Sequence, residues 1–154
     1  MILATLCYIR KDGKTLMLYR NKKENDFHEG KYNGLGGKFE DGESPEECVI
    51  REVREESGLE IEEPKLHGVI TFPNFDMVND WYVFIFSADR FKGNLIESPE
   101  GRLEWVDDDK LLDLPLWDGD SIFLKWVYQK DCGFFSAKFN YHNRKMTDYT
   151  VDFY

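Results

Sequence analysis

The sequence has no excess of basic residues. Its 154 residues include 20 lysines and arginines but 30 aspartates and glutamates, which gives a formal net charge of −10 at pH 7. Non-specific binding to nucleic acid or to anionic membrane requires a positively charged surface. We therefore expect neither a nucleic acid polymer nor a membrane as partner. A small phosphorylated ligand remains compatible with the acidic chain if a cation mediates the contact.

Cysteine is also scarce. Cys7, Cys48 and Cys132 are odd in number and form no Cys-x-x-Cys pair, a pattern that favours reduced, mostly buried thiols in a cytosolic protein. No apolar run approaches the roughly 18 residues that a membrane span requires. The initial segment "MILATLCYI" lacks a basic region and a small-residue cleavage site, so it predicts a strand rather than a signal peptide. The expected location is the cytoplasm.

Strand patterns and helix patterns are mixed irregularly along the chain. The runs "ILATLCYI" and "KTLMLY" flank the turn "RKDG" and predict a β-hairpin. The segment "GDSIFLKWVYQK" has the apolar spacing of an amphipathic helix. Further strands are predicted at "KLHGVITF", "DWYVFIFSA", "GRLEWV", "FFSAKFNY" and "DYTVDFY". This pattern predicts an α+β fold in which helices cover a sheet, with residues 1–154 forming one domain.

One helix has clear signals at both ends. Ser44 fits the N-cap, Pro45 the first helical position, and Glu47 the third position of a capping box. Gly58 fits the left-handed position that follows a helix. The sequence therefore predicts a helix from Pro45 to Ser57.

This helix carries a cluster of acidic residues. Glu52, Glu55 and Glu56 share one face and repel one another. A solvated acidic face is the simpler interpretation. However, the three glutamates border the apolar stripe of Val49 and Val53, and the glycine-rich segment "GLGGKFEDGE" can bring bare backbone close to them. Because Mg²⁺ binds oxygen ligands and joins carboxylates to substrate phosphates, the pattern predicts a magnesium site for a phosphorylated ligand.

The segment from Gly37 to Leu59 resembles the Nudix box, G-x5-E-x7-R-E-U-x-E-E-x-G-U, where U is aliphatic. All nine specified positions match: Gly37, Glu43, Arg51, Glu52, Val53, Glu55, Glu56, Gly58 and Leu59. The resemblance implies the Nudix fold, an α/β/α sandwich with a central mixed sheet. It also implies hydrolysis of a nucleoside diphosphate linked to another group, with Mg²⁺ as cofactor and Mn²⁺ as a substitute.

The resemblance extends beyond the box. The segments "HEGKYNGLGGKFEDGES", "GVITFP", "EWV", "LWDGDS" and "FFSAKF" are similar to the MutT-type 8-oxo-dGTP diphosphatases, and most similar to the MutX-type enzymes of Gram-positive bacteria. This likeness implies attack at the β-phosphorus of an oxidised purine nucleoside triphosphate. The products would be 8-oxo-dGMP and pyrophosphate, in an enzyme that clears damaged nucleotides before they enter DNA.

The resemblance also implies a set of metal ligands. Carried over to this chain, they are Glu52, Glu55, Glu56 and the Gly37 carbonyl. The family pattern favours Glu100 over Glu97 as a further ligand, although either acid fits a solvated turn equally well.

The resemblance further implies how proton transfer is supported. Glu52 is the expected general base, with Glu56 and Glu100 as alternatives. Arg51 is expected to pair with a glutamate of the box and to hold its side chain in position.

Three cations are candidates for the phosphates: Arg20, Lys38 and Lys23. Arg20 stands at the end of the second predicted strand and is favoured. Lys23 fits an exposed basic loop equally well. A purine requires an aromatic face and polar groups at its edge.

Candidates for the base pocket come from three segments of the chain. Asn33 would contact the edge of the base and Trp117 would stack on it, and the other candidates are Phe27, Phe72, Asp118 and Asp120. Core packing is the alternative role for each aromatic residue, and helix capping is the alternative for Asp120.

Some features leave the substrate open. The mammalian relative has two adjacent aspartates where this chain has Asp118-Gly119-Asp120, and relatives often carry Trp at the position of Tyr32. Pro73 lies near a position where ADP-ribose-type relatives carry proline. The alternatives are therefore a nucleotide-sugar, a dinucleoside polyphosphate or an RNA 5′ end as substrate. A nucleotide-sensing module without catalysis is a further alternative, although such modules usually lose glutamates of the box.

Overall fold

The structure is a computed structural model that describes residues 1–154. It contains two α-helices, α1 at Pro45–Ser57 and α2 at Asp120–Tyr128, and a short 3₁₀ helix at Asp108–Asp113. The ten β-strands are β1 Ile2–Lys11, β2 Lys14–Arg20, β3 Tyr32–Asn33, β4 Glu60–Glu62, β5 Lys65–Phe72, β6 Trp81–Ala88, β7 Arg90–Lys92, β8 Gly101–Asp107, β9 Phe135–His142 and β10 Lys145–Phe153. Neither helix is long and apolar enough to cross a membrane.

The main sheet is mixed and has eight strands. Seven follow the order β10-β9-β5-β6-β1-β2-β3, and β8 pairs with β2. The pairs β1–β6 and β5–β9 are parallel, whereas the remaining pairs of this sheet are antiparallel. A second sheet consists of β4 and β7.

Alternate residues of the strands point to opposite faces of the sheet and form two cores. Tyr8 and Met17 belong to the core that includes Phe123 and Val127 of α2. The neighbouring residues Cys7 and Leu16, for example, belong to the core that includes Val49 and Val53 of α1. The sheet therefore lies between the two helices, which confirms the predicted α/β/α sandwich with a central mixed sheet.

The predicted bounds of α1 are confirmed. The Ser44 hydroxyl accepts from the Glu47 amide at 3.1 Å, and the Glu47 carboxylate accepts from the Ser44 amide at 2.8 Å. Gly58 follows the helix in the left-handed conformation, with φ of 81°. These reciprocal bonds fix the first turn of the helix and hence the position of the acidic residues that follow.

The predicted β1–β2 hairpin is also confirmed, with Asp12 and Gly13 both at positive φ in the turn. The short strands β3, β4 and β7 were not predicted. The alternative capping role of Asp120 is wrong, because Gly119 holds the N-cap of α2 and no side chain caps that helix.

Candidate active site

A single cleft of about 580 Å³ brings together most of the predicted site residues. It lies where the end of β2, the glycine-rich segment, α1 and the start of α2 meet. The predicted residues that line it are Arg20, Phe27, Asn33, Gly37, Lys38, Glu52, Glu56, Phe72, Glu100, Trp117 and Asp120. Residues from five separate parts of the sequence therefore face one space.

Three predicted site residues do not line this cleft. Arg51 and Glu55 lie beside it, and the Glu55 side chain is 54% exposed. The Asp118 carboxylate accepts the backbone N–H of Met146 at 3.0 Å, so it anchors the C-terminal hairpin instead of facing a base. This corrects the expected position of Asp118, because its side chain is committed to the start of β10.

Arg51 organises the acidic residues around it. Its Nε and Nη2 donate to the two carboxylate oxygens of Glu43 at 2.6 and 2.9 Å, and its Nη1 donates to Glu52 Oε1 at 2.9 Å. Nη2 also donates to the Lys38 carbonyl at 3.0 Å. These hydrogen bonds lower the pKa of Glu43 to about 2. The expected pairing of Arg51 with a glutamate is therefore present, and it ties α1 to the glycine-rich segment.

The glycine-rich segment is joined to β1 by backbone hydrogen bonds. The Gly37 carbonyl accepts the Thr5 amide at 2.9 Å, whereas no hydrogen bond reaches the Gly36 carbonyl. The Gly36 amide donates to Glu56 Oε1 at 2.8 Å. A Cβ atom on Gly36 would overlap the Thr5 backbone, and one on Gly37 would overlap the Glu52 carboxylate. The absence of a side chain at Gly36 therefore lets the segment lie against β1, and its absence at Gly37 leaves room for the Glu52 carboxylate.

Of the carboxylates at this end of the cleft, Glu52 and Glu100 form ion pairs with basic side chains, whereas Glu56 does not. Burial raises the pKa of Glu56 to about 8, and the nearby Glu52 carboxylate acts in the same direction. Burial also raises the pKa of Glu52. Glu100 Oε2 lies 3.1 Å from Arg20 Nη2, but it is buried and receives no hydrogen bond. A group of carboxylates in this state gains stability from a bound cation.

These donors fit a hard divalent cation. No three His, Cys, Asp or Glu side chains are already gathered at metal-binding distance in residues 1–154. The carboxylates would therefore bind the ion together with a backbone carbonyl, water and substrate phosphate, which is how Mg²⁺ is usually bound in proteins. The groups at this end of the cleft that can bind a metal are carboxylate and carbonyl oxygens, and that set suits Mg²⁺ or Mn²⁺.

Two polar residues without partners face the opposite end of the cleft. Asn33 is only 8% exposed, and its Nδ2 is buried without a hydrogen-bond partner. Asp120 is 6% exposed, and burial raises the pKa of its carboxyl group to about 8, with Lys31 acting in the opposite direction. The raised pKa favours the neutral form of Asp120, which can donate a hydrogen bond. Both side chains are available to the edge of a ligand.

Aromatic side chains enclose this polar pair. Phe27 stacks on Trp117 with ring centroids 5.2 Å apart, and Phe75 and Tyr141 meet Trp117 edge-on. Phe72 packs between Phe75 and the core. A planar base inserted between two rings separates them to about 7 Å, twice the usual contact distance. A purine can therefore stack on the Trp117 face that Phe27 covers only after Phe27 has moved.

Several lining residues were missed from the sequence. His28, Phe75 and Tyr141 all face the cleft. Tyr141 lies two residues after the buried Phe139 on the same face of β9, so its position in the strand pattern indicates core packing. His28 lies in a polar stretch that resembled an ordinary loop, and its proximity to Trp117 depends on a contact across 89 residues of sequence.

Comparison with known proteins identifies the family. The model of the NUDIX domain matches residues 2–127. The chain belongs to the Nudix family, and it has the Nudix fold.

Individual relatives agree with this assignment. The chain is 38% identical over 141 residues to an uncharacterised Nudix hydrolase, YvcI, of Bacillus subtilis, which covers 89% of this chain and 85% of that protein. It is 35% identical over 128 residues to an oxidized purine nucleoside triphosphate hydrolase of Danio rerio, covering 83% of this chain and 80% of that protein.

A solved structure shows the same likeness over nearly the whole chain. The crystal structure of a mutator MutT protein from Bacillus halodurans superposes with a TM-score of 0.86 at 32% identity, covering 99% of this chain and 98% of that one. A more distant relative is an ADP-ribose pyrophosphatase of Methanocaldococcus jannaschii, 36% identical over 87 residues, or 56% of this chain and 50% of that protein.

Proposed function

We propose that the protein hydrolyses oxidised purine nucleoside triphosphates with Mg²⁺, and that it converts 8-oxo-dGTP to 8-oxo-dGMP and pyrophosphate. The supporting observation is that one cleft holds the carboxylates of α1 and of Glu100 at one end and the buried polar side chains of Asn33 and Asp120 at the other. The likeness to an oxidized purine nucleoside triphosphate hydrolase supports the same substrate class.

The metal would be held by Glu52, Glu56 and Glu100. The Gly36 carbonyl is a better candidate than the expected Gly37 carbonyl, because the latter already accepts the Thr5 amide. Glu55 is a weaker candidate, because its side chain is exposed and lies outside the cleft. When bound, the ion neutralises phosphate charge and acidifies a water molecule.

The chain's own residues supply position and proton transfer. The Glu52 carboxylate is half-buried and held by Arg51 through a 2.9 Å hydrogen bond, so it is oriented to take a proton from the attacking water. Glu56 and Glu100 remain alternative bases. Arg20 and Lys38 line the cleft and provide charge for the phosphates. Attack at the β-phosphorus would release the nucleoside monophosphate and pyrophosphate, a reaction that depends mainly on positioning and electrostatic stabilisation.

Recognition of the base would rest on two hydrogen-bonding side chains. Asn33 Nδ2 can donate to a carbonyl of the purine, and the neutral Asp120 can donate to one edge atom while accepting from another. The amide and the protonated carboxyl together match an edge that carries both donors and acceptors, as 8-oxoguanine does.

The direct test measures kcat/KM with Mg²⁺ for 8-oxo-dGTP, dGTP and ADP-ribose side by side. We expect a preference of about tenfold or more for 8-oxo-dGTP over dGTP, since one well-placed hydrogen bond contributes that much discrimination. Equal rates on both nucleotides would contradict selection for the oxidised base. Cleavage of ADP-ribose alone would support the alternative Nudix substrate class and overturn this proposal.

Added Mg²⁺ should stabilise the folded protein. At a concentration of about 100 times its Kd, the ion stabilises by about 2.7 kcal/mol. For a chain of this size that corresponds to a rise in Tm of roughly 5–10 °C. Thermal melting with and without Mg²⁺ measures the shift, and Glu56→Gln should reduce it. An unchanged wild-type Tm at millimolar Mg²⁺ would contradict the metal site.

Alanine substitutions at the two adjacent glycines should have different effects. In Gly37→Ala the new methyl group displaces the Glu52 carboxylate, the mobile end of a side chain. We expect kcat to fall about 10–100-fold with little change in Tm. In Gly36→Ala the methyl group meets the Thr5 backbone, so Tm should fall markedly. Similar Tm values for the two variants would contradict this distinction.

A further inference from the structure

His28 lies at the aromatic end of the cleft and has no part in the chemistry described above. It lies in the segment between β2 and β3 and lines the cleft beside Phe27. Its Nδ1 accepts a hydrogen bond from the indole Nε1–H of Trp117 at 2.9 Å. This is the sole hydrogen bond of the Trp117 indole, and Trp117 is only 3% exposed.

His28 is itself held firmly in place. Its backbone amide donates to Asp26 Oδ1 at 3.1 Å, and Asp26 Oδ2 accepts from Arg20 Nε at 2.8 Å. Its ring stacks on Phe75 at a centroid distance of 6.1 Å. A continuous series of hydrogen bonds therefore connects Arg20, at the phosphate end of the cleft, with Trp117 at the base end.

The hydrogen bond to Trp117 requires a neutral imidazole with its proton on Nε2. Burial lowers the pKa of His28 to about 4, and the charge of Arg20 acts in the same direction. His28 is therefore an acceptor at Nδ1 throughout the neutral range. Loss of this acceptor would leave a buried indole N–H without a partner, which favours a different orientation of the ring.

We propose that His28 is a positioning residue that fixes the Trp117 ring for stacking on the purine base. The inference rests on the proposed function, in which the base stacks on Trp117. Because the contact concerns binding of the base and not the reacting phosphorus, His28 should affect KM more than kcat. The carboxylates that surround the reacting phosphate are unchanged by its loss.

Three variants test this role. His28→Leu keeps an apolar side chain of similar size but removes the acceptor, and His28→Asn keeps an acceptor close to the position of Nδ1. His142→Leu is the matched control, because His142 is exposed on the C-terminal hairpin and lies outside the cleft. For 8-oxo-dGTP we expect KM to rise about tenfold in His28→Leu with kcat within twofold. His28→Asn should recover most of the loss.

A second measurement does not depend on the substrate. The chain has four tryptophans, so its NMR spectrum has four indole N–H resonances. The Trp117 resonance, assigned with Trp117→Phe, should move in His28→Leu and stay near its wild-type position in His28→Asn. Thermal melting shows whether each variant is folded.

The outcomes separate the two proposals. If wild-type protein does not hydrolyse 8-oxo-dGTP, the proposed function fails, and the Trp117 resonance still decides whether His28 orients the ring. The role of His28 is overturned if the resonance does not move in folded His28→Leu. It is also overturned if KM rises equally in the Leu and Asn variants, or if kcat falls by as large a factor as KM rises.

Discussion

Glu56→Gln should lower kcat by about a thousandfold, because a bound metal contributes several kcal/mol of transition-state stabilisation and Glu56 is one of its proposed ligands. Glu56 of α1 is buried against the glycine-rich segment, and it faces the cleft together with Glu52. A glutamine keeps the acceptor for the Gly36 amide, which lies 2.8 Å from the present carboxylate. The fold should therefore be retained while the negative charge needed for the metal is lost.

Glu46→Gln provides the control for this variant. Glu46 lies on the same helix in its exposed first turn, away from the cleft. We expect its kcat to equal that of the wild type, with Mg²⁺ saturating in both assays. Steady-state kinetics and circular dichroism on the two variants decide the result. A kcat for Glu56→Gln within tenfold of the wild-type value would remove Glu56 from the active site.

The element that carries Glu56 was predictable because its signals are local. The capping contacts of Ser44, Glu47 and Gly58 join residues close in sequence to the helix ends. They therefore do not depend on the fold of the rest of the chain. The β1–β2 hairpin has the same property, since the turn residues Asp12 and Gly13 set its register. These two elements place the acidic face of α1 beside the sheet.

Features that depend on distant contacts could not be predicted. β3 has two residues and β4 and β7 have three each. These strands are too short for an alternation of apolar and polar residues to be recognised. Asp118 contacts an amide 28 residues further along, which is why its predicted role in the base pocket was misplaced. Residue type and position beside the glycine-rich segment and the start of a helix identified Asn33 and Asp120 as candidates, but only the fold shows that both are buried in one cleft.

The glycine-rich segment shows where family resemblance and geometry differ. The resemblance implied the carbonyl of Gly37 as a metal ligand, but alternate carbonyls of an extended segment point to opposite sides. Because the Gly37 carbonyl points to Thr5 of β1, the Gly36 carbonyl points away from that strand. The Gly37 carbonyl is thus used in a hydrogen bond to β1, whereas the adjacent Gly36 carbonyl is free. A sequence pattern does not show which of the two carbonyls is free.

Asp120→Asn should remove an alkaline decline in kcat/KM for 8-oxo-dGTP. The Asp120 carboxyl group has an ordinary pKa of 3.8, and burial raises it to about 8. Below that pH the neutral group donates to the base, and above it the group ionises and the donor is lost. Wild-type kcat/KM should therefore fall about tenfold per pH unit above the pKa. The amide of asparagine does not ionise and still offers a donor and an acceptor, so the variant should stay close to the wild type at pH 7 and be free of this decline.

The same substitution should change stability with a defined sign. Between the ordinary and the raised pKa, folded Asp120 binds a proton that the unfolded chain does not. The free energy of unfolding of the wild type therefore decreases as pH rises through this window, by up to about 1.4 kcal/mol per pH unit from this group. Asp120→Asn lacks that contribution, so its free energy of unfolding should exceed the wild-type value at pH 7.5 and the difference should shrink towards pH 4.5. Urea unfolding across this range measures both curves. A stability difference that does not vary with pH would show that Asp120 is ionised in the folded protein, and the base would then meet an acceptor where a donor is proposed.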